Sequence, residues 1–473
     1  MKILLLTPPL LTSDRYGKDL GKVGPTTEPL GLAYLASSLL EADHEVKIVD
    51  CAAMKYTLEH IKKLILKEKF DVVGISILTP SYLISKKTIE AIKSIDRNIK
   101  IIVGGVHVTI RPKETLEETQ EIDVGIIGEG ERTIVEVVNA LEHNISLSKI
   151  KGIVYRNKKI IITKPRELEK NIDNLPIPAR SLLPMKKYKP APTYYRHLPS
   201  YVMLTSRGCP FRCVYCSKIG GKNYRHHSVN RIIKEMKILI YKYKAKEIIF
   251  RDDTFTIERD FIIKLCKRII QEKLKIKWTC MTRVNLVDYA LLKLMKKAGC
   301  WSIHYGIESG SQRLIDLIKK DITLEQAIKA VKYTRAAGIE TKAFFMLGLP
   351  TETQKESIQT IKFAKKLDPD MIQVTITVPY PGTELYNLAS KDGTLKSLNW
   401  EDYQTWAGWT SKDLVYIPAN RSQNELKYLQ KLAMRKFYFR PKIMLRLLFN
   451  IRSMPMLKEY INGGLALVKS KLR

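Results

Sequence analysis

The chain has 473 residues, 45% hydrophobic and 27% charged, which is enough for two or three globular domains with cores of their own and argues against a disordered chain. Its formal net charge of +33 favours an anionic partner, whether nucleic acid, a phosphate-bearing substrate or an acidic membrane face. No uninterrupted apolar run approaches the ~20 residues a membrane-spanning helix needs, and seven cysteines with only three clustered point to a reducing cytosol and a metal site, not a disulfide framework.

The opening Met1-Lys-Ile-Leu-Leu-Leu-Thr7 is too short for a signal sequence before Pro8-Pro9 and reads as a first strand. From there to residue 145, strands are predicted at 2–6, 46–49, 72–77, 101–103 and 122–127, with helices at 30–41, 58–68, 86–95 and 133–141. Such alternation specifies a doubly wound, Rossmann-like parallel sheet, whose ligands lie at the carboxyl ends of its strands. Those ends are 76–81, 104–109 and 128–131, rich in glycine and hydroxyls; the glycines either admit a bulky ligand or merely terminate strands.

Residues 146–196 read as a connector, with a small hairpin at 150–155 and 159–162 and then five prolines between 176 and 192 that keep the chain extended. Residues 197–400 alternate again, with strands predicted at 201–205, 247–250, 277–281, 302–307, 341–347 and 371–377. Helices are expected at 228–244, capped by Ser228, and at 260–271. Six strand-helix units suggest an incomplete parallel (β/α)6 barrel of TIM type, active at its strands' C-terminal ends.

The first of those ends carries Cys209-Pro-Phe-Arg-Cys213-Val-Tyr-Cys216. Three thiolates in so tight a loop satisfy three irons of a four-iron cluster and leave the fourth open. Zinc, with His226 or His227 as fourth ligand, and three ordinary buried thiols are the other readings. The remaining ends carry Asp252-Asp253, Arg283, Gly306-Ile-Glu308-Ser-Gly310, Gly348-Leu-Pro350 and Pro379-Tyr-Pro381-Gly382-Thr383. Carboxylates there can accept from ribose hydroxyls or an ammonium; taken singly, each is also an ordinary cap or salt-bridge partner. Residues 401–473 form a helical, basic region. Trp400, Tyr403, Trp406 and Trp409 are expected to cap the barrel or face substrate, and 436–449 interleave apolar and basic residues as an amphipathic helix on an anionic membrane does, or as a packed helix with a solvated face does.

The cysteine loop, with Tyr215 before its last cysteine, resembles that of the radical S-adenosylmethionine enzymes, and the six decorated strand ends resemble their barrel. Ser76-Ile-Leu78 followed by Gly104-Gly105 resembles the S-x-L and G-G elements of cobalamin-binding domains. The D-x-H-x-x-G element is missing, since the segment after the first strand reads Thr7-Pro-Pro-Leu-Leu-Thr-Ser-Asp-Arg-Tyr-Gly17; no histidine there can ligate cobalt, as in cobalamin domains fused to radical S-adenosylmethionine domains.

The resemblance implies a [4Fe-4S] cluster on Cys209, Cys213 and Cys216, S-adenosylmethionine near Tyr215, Asp252, Asp253, Arg283, Glu308 and Gly348, and cobalamin near Ser76, Leu78, Thr79, Gly104, Gly105, His107, Gly128 and Glu129. It further implies an external electron donor, a 5'-deoxyadenosyl radical, and methylation of an unactivated carbon on a hydrophobic or anionic small molecule or lipid. Cyclisation or rearrangement without methyl transfer is the alternative, and a non-catalytic iron or cobalamin sensor a further one. A methylthiotransferase would carry a second cysteine cluster, whereas Cys51 stands alone. The tail is similar to those of the anaerobic magnesium-protoporphyrin cyclase and hopanoid-associated groups. A cytoplasmic protein, in contact with the inner membrane face through that tail, is expected, and no dedicated nucleic-acid module is seen.

Overall fold

The computed structural model describes residues 1–10, 24–217, 220–405, 409, 413–451 and 454–469. Ile3 to Leu6 are fully buried, as a central parallel strand covered on both faces requires. They form the middle of β1 (Lys2–Thr7), which lies between β2 (Glu45–Asp50) and β3 (Val72–Ser76); β4 (Lys100–Gly104) and β5 (Val124–Ile126) continue the parallel sheet. The order β2-β1-β3-β4-β5 reverses direction between β1 and β3, which opens a crevice at the carboxyl ends of those two strands.

One expectation is corrected here. The hairpin assigned to the connector, β6 (Ile153–Asn157) and β7 (Lys159–Ile162), pairs antiparallel with β5 and completes a seven-stranded sheet. Val154 and Ile153 are fully buried, so the hairpin covers what would otherwise be an open apolar edge. The sheet therefore runs well past residue 145, and only the proline-rich stretch behind it connects.

The second sheet contains β8 (Ser200–Met203), β11 (Glu247–Phe250), β12 (Lys277–Thr282), β13 (Cys300–Glu308), β14 (Glu340–Leu347) and β15 (Met371–Ile376), all parallel and in chain order. Between β8 and β11, the short strands β9 (Ser206–Arg207) and β10 (Arg225–His226) pair with each other. β8 and β15 are both edges, so the barrel is partial. Ser228 caps the helix Val229–Lys237 as expected, accepting from Arg231 N at 3.2 Å.

The open β15 edge is covered by the helix Gln423–Tyr438. Tyr438 Oη donates to Ile372 O (2.7 Å) and accepts from Ile372 N (3.1 Å), and Gln430 Nε2 donates to Val374 O at 2.9 Å. The basic stretch expected as one helix breaks at Arg440, where Pro441 starts a new helix, Pro441–Phe449, followed by Met454–Lys469. Trp400 and Tyr403 do not cap the barrel. They pack in a core on the outer face of the first sheet, against residues such as Tyr82 and Val103; Trp406 lies outside the described residues. A single larger core joins the inner face of the first sheet to the barrel, running from Ile3 and Ile126 to Tyr201, Phe250 and Ile303.

Candidate active site

The cysteine loop leaves β8 through a turn that its neighbours hold rigidly. Asp252 Oδ1 accepts from Thr205 N (2.9 Å), Thr205 Oγ1 (2.7 Å) and Ser206 Oγ (2.5 Å). Burial pushes the Asp252 carboxyl up to about 6, against the pull of the Ser206 and Thr205 donors. The residue expected to touch a cofactor thus braces the turn before the loop, while Asp253 faces a cavity beside it. Gly208 has φ +85 and lies against the Asn223 carbonyl, leaving no room for a Cβ.

Beyond the turn, Cys209 N donates to Gly221 O at 3.1 Å and Val214 N to Ile318 O at 3.1 Å, while Val214 O accepts from Leu385 N at 3.0 Å. Val214 is sunk among Leu314, Ile318, Leu349 and Leu385, so the loop is anchored at its middle. The cysteines fan outward: Cys209 is half-buried, Cys213 buried and Cys216 exposed. Arg283 Nη1 lies 3.8 Å from Cys213 Sγ, with its guanidinium 3.7 Å from the centre of the Phe211 ring and Nη2 bonded to the carbonyls of Lys320 and Asp321. A fixed positive charge beside a thiol suits an anionic ligand sphere.

Among the described residues, no three His, Cys, Asp or Glu side chains meet at one point as a single metal ion needs. A four-iron cluster takes one thiolate per iron, so its three cysteines surround a cube and do not converge. The zinc alternative loses its fourth ligand. His226 Nδ1 faces His227 O at 2.8 Å and its Nε2 faces Glu258 at 3.3 Å; His227 Nδ1 faces Asp173 at 2.9 Å. The donor set, three thiols with one cation and no imidazole, fits the cluster.

Tyr215 ties the loop to the end of β13. Its Oη donates to Glu308 Oε1 at 3.1 Å, and Lys320 Nζ bonds both Tyr215 Oη (3.0 Å) and Glu308 Oε1 (2.8 Å). Burial and then the Glu308 charge push the Tyr215 phenol far above its ordinary range, so it remains a donor. A Cβ on Gly306 would stand 2.5 Å from Glu308 Oε1 and 2.8 Å from Lys320 Nζ; only glycine leaves room for this trio.

Between the two sheets lies a cavity of about 390 Å³. Ser76, Gly104, Gly105, Gly128 and Glu129 line it from the first sheet, and Ser206, Arg207, Gly208, Gly220, Arg251 and Asp253 from the barrel side. Gly105 has φ +100, and a Cβ there would stand 2.8 Å from Ile77 O. A Cβ on Gly31 or Gly128 would meet nothing within 4 Å, so both leave space on the cavity wall. The rest of the wall is largely aliphatic: Leu5, Leu32, Leu35, Ile102, Ile126 and Ile134. A broad, flat, apolar ligand approached by glycine backbone fits this cradle. Gly208 also opens the cysteine loop, so cavity and loop share a wall.

An ion-pair clamp closes one side. Arg207 Nη2 lies 2.6 Å from Glu131 and its Nη1 3.3 Å from Glu129, while Arg225 holds Glu129 at 2.8 and 3.1 Å. Burial alone would raise the Glu129 carboxyl, but the Arg225 hydrogen bonds and the Arg207 charge bring it below the usual range.

Comparison with known proteins decides the family. Residues 18–138 match the B12 binding domain and residues 203–364 the radical SAM superfamily. The chain is 42% identical over 452 residues to an uncharacterized methyltransferase of Pyrococcus horikoshii, covering 95% of both chains. It belongs to the cobalamin-binding radical SAM enzymes. The anaerobic magnesium-protoporphyrin IX monomethyl ester cyclase of Rubrivivax gelatinosus is 28% identical, over 82% of this chain and 69% of that one. The radical S-adenosylmethionine methyltransferase TsrM of Kitasatospora setae shares the fold, with a TM-score of 0.69 at 17% identity over 93% of this chain and 84% of that one.

The cofactors of this cobalamin-binding radical SAM enzyme are a [4Fe-4S] cluster, S-adenosylmethionine and cobalamin. Of the residues expected around cobalamin, Ser76, Gly104, Gly105, Gly128 and Glu129 share the cavity. Leu78, Thr79 and His107 do not line it. Leu78 is 43% exposed, and His107 is buried behind the wall, stacked on Tyr82 at 4.5 Å, edge-on to Trp400 at 5.3 Å and 3.3 Å from Thr79 Oγ1. Burial, helped by Arg111, pushes its imidazole down to about 4, so it packs there neutral. Gly348, with φ +77, accommodates Leu426 of the edge-covering helix. The segment after Thr7 that would carry the missing histidine lies, from residue 11 on, outside the described residues. Four residues of the site escaped sequence reasoning: Arg207, Arg225, Arg251 and Lys320. Each sits in a charged or polar run, and only its tertiary partner gives it meaning.

Proposed function

We propose that the enzyme methylates an unactivated carbon of a small molecule that combines an apolar body with an anionic group. The observation that carries this is the shared wall: Gly208 and Asp253 bring the cavity against the anchored cysteine loop, so two cofactor sites face one space. When bound, the cluster with S-adenosylmethionine supplies one-electron hydrogen abstraction, and cobalamin supplies the methyl group. The chain's own residues hold and exclude. Asp252 and Arg283 fix the cysteines, the Tyr215-Lys320-Glu308 trio fixes the loop against β13, and the Arg207 and Arg225 clamp holds the first domain over the barrel. The aliphatic wall keeps water from the reacting carbon. An external electron donor would approach from the exposed Cys216 side.

Ring closure without methyl transfer is the second reading, supported by the likeness to the cyclase. We also propose contact with an anionic membrane. Met444, Leu445, Leu448 and Phe449 are all exposed and recur at helical spacing on one face of Pro441–Phe449, and Met454 is exposed just beyond.

The test is anaerobic turnover of the reconstituted, cobalamin-loaded protein with S-adenosylmethionine and strong reductant, read by mass spectrometry. Methyl transfer gives S-adenosylhomocysteine together with 5'-deoxyadenosine; 5'-deoxyadenosine alone turns the reading to cyclisation. Cys213→Ala is expected to lose cluster iron and all S-adenosylmethionine cleavage. Wild-type 5'-deoxyadenosine from that variant would refute the cluster assignment.

A further inference from the structure

The barrel interior holds positive charge that no carboxylate balances. Lys342, on β14, is 3% exposed. Its Nζ lies 2.8 Å from Thr193 Oγ1 and 4.1 Å from the centre of the Tyr194 ring. The Arg251 guanidinium packs on the same ring at 4.5 Å. His304, the register partner of Lys342 on β13, stands edge-on to Tyr194 at 4.7 Å; it is 1% exposed, and neither ring nitrogen has a partner. Among the described residues, neither Lys342 nor Arg251 forms a salt bridge with a carboxylate; the Tyr194 hydroxyl faces both, and their other side-chain contacts are the Thr193 hydroxyl, aromatic rings and the Met281 sulfur.

A buried ammonium faced by a phenol and no carboxylate is costly for a fold, and a buried imidazole with both nitrogens idle adds to that cost. Burial lowers the Lys342 ammonium against the pull of the Tyr194 phenol, which the two cations hold below its own ordinary range, and burial with the Lys342 and Arg251 charges holds His304 far below its ordinary range. Glu28 lies within reach of the Arg251 charge, but its own burial pushes it up to about 7. Arg251 belongs to two places at once: it lines the inter-domain cavity, and its guanidinium reaches Tyr194. The charged cluster therefore begins where the cavity ends. Tyr194 comes from the connector turn Pro192–Tyr194, not from a barrel strand.

We propose that Lys342, Arg251 and His304 form the docking site for an oxyanion of the substrate, a carboxylate or a phosphate, whose apolar body runs from there toward the cavity. Lys342 and Arg251 supply the charge, the idle imidazole donates a hydrogen bond, and the Tyr194 and Thr193 hydroxyls complete the lining. This rests on the enzyme reading only for what happens at the far end of the substrate.

The test is calorimetric binding of hexanoate, hexyl phosphate and hexanol to the cofactor-loaded full chain without reductant, so that failed turnover leaves it untouched. At least one anion is expected to bind more than tenfold more tightly than the alcohol, and the tighter of the two names the headgroup. Lys342→Met should abolish that preference and Lys342→Arg keep it. Without ligand, Lys342→Met should melt no lower than wild type, because it removes an unbalanced charge. No anion preference in the wild type, or a preference that survives in Lys342→Met, would overturn the proposal. So would a lowered melting point in that variant, which marks a structural lysine. His304→Phe is the independent check: the anion preference must fall, and an unchanged preference overturns the site.

Discussion

Glu28 shows how much one buried carboxylate can do. It is 5% exposed and accepts from Val202 N at 3.1 Å, joining the segment before the helix Leu30–Glu41 to β8. Burial pushes it up to about 7, although the Arg180 charge and the Val202 amide pull it back. The folded chain thus holds this proton more tightly than the unfolded one. Its contribution to stability is complete below pH 4.5, declines as pH rises from 4.5 to about 7, and is flat above. Relative to Glu28→Gln, the wild type is expected to lose about 3 kcal/mol of unfolding free energy between pH 4.5 and 8, measured by denaturant titration. Equal slopes for the two proteins would place the Glu28 proton outside this window. Nothing around Glu28 in the chain announces such a role, because its partners Val202 and Arg180 lie far along it. The three cysteines are the opposite case. Their chemistry is carried by spacing within one loop, so they were legible at once. His107 lay between the two: its place beside Gly104-Gly105 was legible, but whether it turned to the cavity or to Tyr82 depended on an aromatic core built partly from Trp400.

At the scale of elements, runs of aliphatic residues specified strands such as β1, β3 and β4, since strands buried on both faces need no alternation to be seen. What periodicity could not say was which sheet a hairpin joins. β6 and β7 looked detached because they follow the last helix of the first domain, yet they pair with β5. The glycine ends of β4 and β5 were visible as composition, and their geometry adds a prediction. Gly105→Val introduces a branched side chain at φ +100, 2.8 Å from the Ile77 carbonyl. Strain of this kind costs about 2 kcal/mol, which the cradle would relieve by shifting. The variant is expected to retain roughly a tenth or less of the wild-type cobalamin after gel filtration, with iron content unchanged. Loss of iron alongside cobalamin would mean that the change had spread to the cysteine loop.

Across the whole molecule, the features least legible in the chain are those that join its parts. One core continues from the first sheet into the barrel, four charged residues clamp the domains, and Tyr438 and Gln430 finish a sheet edge. The C-terminal helices end this sequence of junctions. Ile443 is fully buried and anchors Pro441–Phe449, while Arg440, Lys442 and Arg446 gather on Asp368. With its basic side held by that carboxylate, the helix turns Met444, Leu445, Leu448 and Phe449 outward, and no helix among the described residues is long and apolar enough to cross a membrane. The membrane contact proposed for this face is a surface-lying one, and the net charge of +33 favours anionic lipid as its partner. The protein is expected to float with anionic vesicles and not with neutral ones, and to be released by raised salt. If each exposed side chain contributes about 1 kcal/mol by partial insertion, the double change Leu448→Glu and Phe449→Glu removes about 2 kcal/mol, roughly a thirtyfold loss of partitioning. Undiminished flotation of that variant would show that charge alone draws the protein to the bilayer and that the apolar face of Pro441–Phe449 serves another contact.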